Sequence, residues 1–213
     1  MRSSRRLLSK VFASAKSTTS AKVSKREGQV FAANGGVLLQ DNFLSDEDFI
    51  RVQRWGHSIP CDQDRKQRRW SQSIVLDFEE CMSSRQWSSA EDDIPEEAAL
   101  FIDAVRKTGM VDVDATIVIG VLRWQAKSGM GEHTDGHTDT AITFYLNDIW
   151  KRNWFGDFIF YESKAAFEKG YGRTATPMPN RLVVNKSTVM HKVTYCSELA
   201  VERVTLQAFV QKQ

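Results

Sequence analysis

The residues with the clearest chemical promise are His133 and Asp135, one residue apart in the run Gly129-Met130-Gly131-Glu132-His133-Thr134-Asp135. In an extended chain, two side chains at that spacing leave the same side. An imidazole and a carboxylate so placed can grip two adjacent corners of an octahedral metal ion. One further histidine from a facing strand completes a two-histidine, one-carboxylate face that leaves coordination positions open. His191, in the run TVMHKV, is the expected third ligand, because His57 falls far upstream of the expected strands. A second His-x-Asp pair, His137 and Asp139, competes for the role. Only Thr140 separates Asp139 from the apolar run 141–146, which puts this pair in the turn or the first residues of the next strand, as a polar rim. Arg203 follows His191 by twelve residues, with Thr205 two further on, so both can leave one side of the last strand. A guanidinium holds a carboxylate through two hydrogen bonds and a hydroxyl adds a donor.

These groups need a sheet to carry them. After Gly109 the chain runs through ATIVIGVLRWQ, TAITFYLN, FGDFIFYES, NRLVV, MHKVTYC and ERVTLQAFV, which are β-branched, aromatic segments separated by turn-rich ones. Two helices are expected ahead of them. Ser45 is an N-cap with Asp46, Glu47 and Asp48 in the first turn. The second helix should begin near Pro95, continue through Ala99, Phe101, Ile102 and Val105, and stop at Gly109. The polar, Trp-containing stretch between them carries no readable pattern. The expected class is α+β, mostly β: a double-sheet sandwich or jelly roll preceded by supporting helices, with a ligand site in the mouth between the sheets.

Over residues 117–211 the chain resembles the 2-oxoglutarate/Fe(II)-dependent dioxygenases, and within them the branch containing the prolyl 4-hydroxylases. That family has an aromatic residue nine or ten positions before its ligand histidine, and Trp124 stands nine before His133. The family pattern PxRLVxFxSxxxHxV is echoed from Pro179, Arg181, Leu182 and Val183 through Ser187 to His191 and Val193. The resemblance implies a double-stranded β-helix in which His133, Asp135 and His191 bind Fe(II). It also implies that Arg203 and Thr205 hold the distal carboxylate of 2-oxoglutarate, with Tyr145 matching a tyrosine that hydrogen-bonds the same group. Three positions depart from the family: Trp124 replaces a frequent Tyr, Asn185 stands where the pattern has Phe, and the usual Gly-Gly reads Gly156-Asp157.

The implied reaction consumes 2-oxoglutarate and O2, releases succinate and CO2, and hydroxylates a C–H bond of a protein side chain or small metabolite, with ascorbate as a candidate reductant. Retention of Asp135 favours hydroxylation over halogenation, which in related enzymes vacates that position. Two other readings remain: a non-catalytic jelly-roll module that binds a metal or ligand, and a zinc hydrolase using the same three ligands. An open metal face argues against the first, and the clamp at Arg203 and Thr205 against the second.

Composition sets the outer bounds. The chain of 213 residues is long enough for one cored domain. No run approaches the roughly 20 apolar residues of a membrane-spanning helix. The net charge of +2 conceals an asymmetry: residues 1–26 hold eight Lys or Arg and no acid, leaving 21 basic against 27 acidic residues. The opening, with Arg2, Arg5, Arg6 and Lys10 around Leu7, Leu8, Val11 and Phe12 and then many Ser and Thr, reads as a mitochondrial transit peptide, or else a disordered basic tail of a cytoplasmic protein. Residues 1–28 are assigned to this leader and 29–213 to the dioxygenase domain. An acidic domain argues against nucleic acid, as does Phe209, where a demethylase branch of the family usually carries a second Arg. Cys61, Cys81 and Cys196 are odd in number and lack CxxC spacing, so no disulfide framework or thiolate zinc site is expected. The loops at 56–93 and 163–180 are the expected substrate-facing segments.

Overall fold

A computed structural model of the chain describes residues 30–33, 36–62, 75–76 and 81–212, the first and third of these as backbone. The expected leader, 1–28, lies outside the described residues, as does all of the basic run Arg65-Lys66-Gln67-Arg68-Arg69, which the sequence suggests is a solvated loop. Thirteen strands, three α-helices and a 3-10 helix at Arg152–Trp154 are present among the described residues. The strands are β1 Val30–Ala33, β2 Val37–Gln40, β3 Val75–Leu76, β4 Cys81–Ser83, β5 Trp87–Ser88, β6 Ile117–Trp124 and β7 Gly129–His133. They continue with β8 Thr140–Tyr145, β9 Phe158–Phe160, β10 Arg173–Ala175, β11 Leu182–Lys186, β12 His191–Val193 and β13 Arg203–Val210. The helices are α1 Asp46–Ser58, α2 Glu96–Lys107 and the short α3 Lys164–Glu168.

Two antiparallel sheets form. The larger runs β1-β2-β11-β8-β13-β6-β4, with β5 also on β6, and the smaller runs β10-β9-β12-β7-β3. After Gly109 the chain passes back and forth between the sheets, β6, β8, β11 and β13 going to the larger and β7, the β9-β10 pair and β12 to the smaller. That interleaving is the jelly roll expected from the strand pattern.

The helices start and stop for local reasons. Ser45 Oγ accepts from the Asp48 backbone N–H at 3.2 Å, and three acids occupy the first turn of α1. Pro95 takes the cap position of α2 rather than its first helical position, and Gly109, at φ +71°, turns the chain away beyond its end. Both helices cover the outer face of the larger sheet. Val52, Phe101, Ile102 and Val105 form one core with Ile117, Ile119, Val121, Ile142, Phe144, Leu182, Val184, Val204, Leu206 and Ala208.

This core decides where everything else points. Side chains alternate along a strand, so the residues between these core positions face the smaller sheet. They include Tyr145 and Thr143 on β8, Asn185 and Val183 on β11, Arg203, Thr205 and Gln207 on β13, and Trp124 on β6. Sequence expectation misses several elements. β1 and β2 precede the helices, and β2 pairs with β11 in the larger sheet. The glycine-rich segment that bears His133 is itself a strand, β7, and α3 with β10 fill part of 163–180.

Candidate active site

β7 ends at His133, and β12 begins at His191 directly across the ladder, with a register shift before Val193. Gly129 makes this approach possible: a Cβ there would lie 3.0 Å from the Val193 carbonyl oxygen and 3.1 Å from the Tyr195 nitrogen. The two imidazole centroids are 4.2 Å apart. Asp135 stands just past the strand, in a turn closed by the Thr138 backbone N–H and hydroxyl, which donate to its carbonyl at 2.9 and 3.1 Å. One ligand atom from each of His133, Asp135 and His191 lies within 4.8 Å of the others. Asp135 Oδ1 is 3.8 Å from His133 Nε2, and Asp135 Oδ2 is 3.5 Å from His191 Nε2.

The tautomers follow from the backbone. His133 Nδ1 is 2.9 Å from the Gly131 carbonyl oxygen, and His191 Nδ1 is 2.9 Å from that of Val189. Only a protonated nitrogen donates to a carbonyl, so each ring turns the lone pair of Nε2 toward the centre. Burial holds His191 below the ordinary imidazole pKa, against the upward pull of Asp135, and His133 pushes it further down. Two imidazole Nε2 atoms and a carboxylate form the donor set of an iron, manganese or zinc site. Among the described residues this is the cluster able to hold a metal. His137 and Asp139 are outside it: His137 is exposed, 6.0 Å from the Phe209 ring, while Asp139 accepts from Lys186 Nζ at 3.1 Å and the Thr140 hydroxyl at 2.8 Å.

Deeper between the sheets lies a second polar group. Thr205 is opposite Tyr145 on one side of β13, and Arg203 is opposite Trp124 on the other. Tyr145, Arg203 and Thr205 are all at most 2 % exposed, and the guanidinium carbon of Arg203 is 5.1 Å from the Tyr145 ring centroid. Tyr145 Oη, Thr205 Oγ1 and Arg203 Nε have no hydrogen-bond partner among the described residues. A buried orphan of this kind costs about 1–3 kcal/mol, so three together at one place mark where an acceptor belongs. Burial pushes the Tyr145 hydroxyl up, partly opposed by Arg203, which keeps it a donor. Tyr145 shares a core cluster with Phe158, Phe160, Val183 and Val189, and Phe158 in turn packs 5.0 Å from the His191 ring. The clamp and the histidines therefore border one interior. A carboxylate fits the three orphaned donors, and a divalent metal fits the histidine and aspartate set.

Three interior polar features have no counterpart in the sequence reading as site residues. Asn185 Nδ2 donates to Asp135 Oδ2 at 3.2 Å. Thr143 Oγ1 donates to Gln207 Oε1 at 2.9 Å on the same inner face. Asp157 lies within electrostatic reach of Arg203 and Tyr145, with its Oδ1 buried and unpartnered among the described residues. Burial raises its carboxyl above the usual range, with a Thr176 hydrogen bond and Arg203 pulling the other way. Departures from the family motif at 185 and 157 were the available signal for two of these. Gly156 brings Asp157 there: at φ +71°, a Cβ on it would meet Cys196 Sγ at 2.9 Å and Arg203 Cδ at 3.3 Å.

No protein-family model matches the sequence, and no curated protein matches it. Solved structures do share its fold. A prolyl-4-hydroxylase from Pseudomonas putida superposes with a TM-score of 0.62 at 14 % identity, over 84 % of this chain and 93 % of that one. A prolyl hydroxylase from Trichoplax adhaerens, in complex with a peptide fragment of the hypoxia inducible factor oxygen degradation domain, gives 0.61 at 16 % identity, over 83 % and 84 %. An oxidoreductase of the 2OG-Fe(II) oxygenase family from Burkholderia pseudomallei gives 0.59 at 12 % identity, over 84 % and 85 %. At these identities the likeness establishes the shared jelly-roll architecture.

Proposed function

We propose that this chain is an Fe(II)- and 2-oxoglutarate-dependent dioxygenase that hydroxylates a C–H bond of a protein side chain or small metabolite. The observation that carries it is the coexistence, in one interior, of the His133–Asp135–His191 cluster and the three orphaned donors of Tyr145, Arg203 and Thr205. Either feature alone has other uses. A metal face that keeps open positions, set beside a carboxylate clamp, matches a co-substrate that chelates at one end and is anchored at the other.

His133 Nε2, His191 Nε2 and the Asp135 carboxylate would hold the iron. Arg203, with Tyr145 and Thr205, would hold the distal carboxylate of 2-oxoglutarate and fix its keto acid end toward the metal. With both bound, the centre would supply O2 activation coupled to oxidative decarboxylation of 2-oxoglutarate to succinate and CO2, the second oxygen atom going to the substrate. The chain's own part is positioning and exclusion of water: the clamp side chains are almost fully buried, so the charge of Arg203 acts in a low-dielectric interior. The peptide complex of the Trichoplax neighbour favours a protein or peptide among substrates. The acidic domain and Phe209 weigh against nucleic acid. Ascorbate belongs to the proposal as reductant, and the basic leader supports a mitochondrial matrix location, tested by import of a reporter fused to residues 1–28.

The decisive assay is succinate formation by anaerobically purified protein given Fe(II), 2-oxoglutarate and O2. Wild type is expected to turn over and His133→Ala is not. Absence of turnover, together with no 2-oxoglutarate binding, would move the chain to the non-catalytic jelly-roll reading.

A further inference from the structure

The carboxylate of the metal cluster has a partner that no histidine supplies. Asn185 lies near the end of β11, 1 % exposed, between Ala141 of β8 and Val37 of β2 in the register of the larger sheet. Its Nδ2 is 3.2 Å from Asp135 Oδ2 and 3.4 Å from the Lys186 carbonyl oxygen. An ionised carboxylate only accepts, which fixes the amide orientation: nitrogen toward Asp135. Phe, which the resembling family has at this place, offers no donor.

We infer that Asn185 is a positioning residue for the metal centre, holding the Asp135 carboxylate in its ligand orientation from the opposite sheet. The inference rests on the reading of His133, Asp135 and His191 as metal ligands. Asp135 follows the last residue of β7 by two, beyond the ladder that orients the histidines. Its backbone is tied by Thr138, and the amide of Asn185 ties its side chain. The amide engages Oδ2, the oxygen 3.5 Å from His191 Nε2, and leaves Oδ1, 3.8 Å from His133 Nε2, outside that hydrogen bond. Carboxylate rotation is thereby suppressed before metal arrives, so less ordering cost falls on binding. Outer partners of this kind contribute about 10–100-fold to metal affinity.

The test is Mn(II) titration of the metal-free full chain by calorimetry, and Co(II) titration followed in the visible ligand-field bands, without 2-oxoglutarate. Asn185→Leu keeps the volume and removes the donor; Asn185→Asp keeps the shape and sets a second carboxylate against the first. Both are expected to weaken Mn(II) binding about 10–100-fold and to alter the Co(II) bands. Val183→Ala, an interior change on the same face of β11, is expected to lower the melting temperature while leaving Mn(II) affinity within twofold. If Asn185→Leu does not fold, Asn185→Asp carries the same comparison. Wild-type binding of Mn(II) with both Asn185 variants within twofold of it would overturn the role of Asn185 and leave the metal centre standing. Failure of the wild type to bind either ion would overturn the ligand assignment itself, and the inference with it.

Discussion

At the scale of single residues, the proposed clamp would trade stability for binding. The hydroxyl of Tyr145 is buried without a partner among the described residues, and it would acquire one from the proposed carboxylate. Tyr145→Phe should therefore have effects of opposite sign. The free protein gains about 1–3 kcal/mol by losing an unsatisfied group, while 2-oxoglutarate affinity drops about 3–10-fold through loss of a neutral hydrogen bond. Melting temperature and calorimetric titration of one sample read both signs. Asp157 makes a pH prediction. Its folded pKa is raised above the unfolded value by burial, so its contribution to stability is fully present below an unfolded pKa of about 3.9 and is lost as pH rises through the folded value. Asp157→Asn, which cannot ionise, should thus gain in melting temperature relative to wild type as pH is raised from about 4 toward neutrality. The same variant should bind 2-oxoglutarate more tightly at neutral pH, since a carboxylate no longer competes for Arg203. A stability difference that is flat across that window would refute the buried-carboxyl account.

At the scale of elements, the pairing of β7 with β12 sets His133 opposite His191, and Gly129 permits the pairing. The atoms nearest a Cβ at Gly129 are backbone, at 3.0, 3.1 and 3.2 Å, and backbone in a ladder does not swing aside like the end of a side chain. Gly129→Ala should cost about 1–3 kcal/mol by overpacking. Because the strain displaces the strand that carries His133 from the one that carries His191, Mn(II) affinity should fall together with stability. Gly136→Ala is the control: its nearest neighbour is Thr134 Oγ1 at 3.8 Å, an ordinary contact, so neither quantity should change much. Denaturant melts paired with Mn(II) titrations separate the two.

At the scale of the whole molecule, the site depends on a core it does not touch. Phe144 is fully buried and packs against Phe43, Phe49 and Phe101 at centroid distances of 5.8, 6.0 and 5.1 Å, joining both helices to the larger sheet. Its neighbour in sequence, Tyr145, faces the other way into the clamp. Phe144→Ala should cost about 3–5 kcal/mol, a large share of the roughly 5–15 kcal/mol that holds a domain folded. Below its lowered melting temperature the variant should still bind Mn(II) within a few-fold of wild type, because the ligands hang on the ladder between β7 and β12. A selective loss of metal binding in well-folded Phe144→Ala would show that the helix layer shapes the site directly.

How far the sequence reaches is set by the range of each interaction. Local rules sufficed for the capped start of α1, the stop of α2 at Gly109 and the strand character of residues 117–124, 140–145 and 203–210. The period-two spacing of Arg203 with Thr205 was legible because alternation in a strand is a property of the backbone alone, whereas Asp135 meets the histidines from the turn that follows β7. Gly129–His133 did not read as a strand, since glycine disfavours strands and is used here for close approach. The register of β7 on β12, the amide of Asn185 on Asp135 fifty residues away, the Thr143–Gln207 pair and the carboxyl of Asp157 near Arg203 are decided by tertiary structure. Each of these joins positions far apart in the chain, and no local preference encodes such a meeting; only the packing of one sheet on the other brings it about.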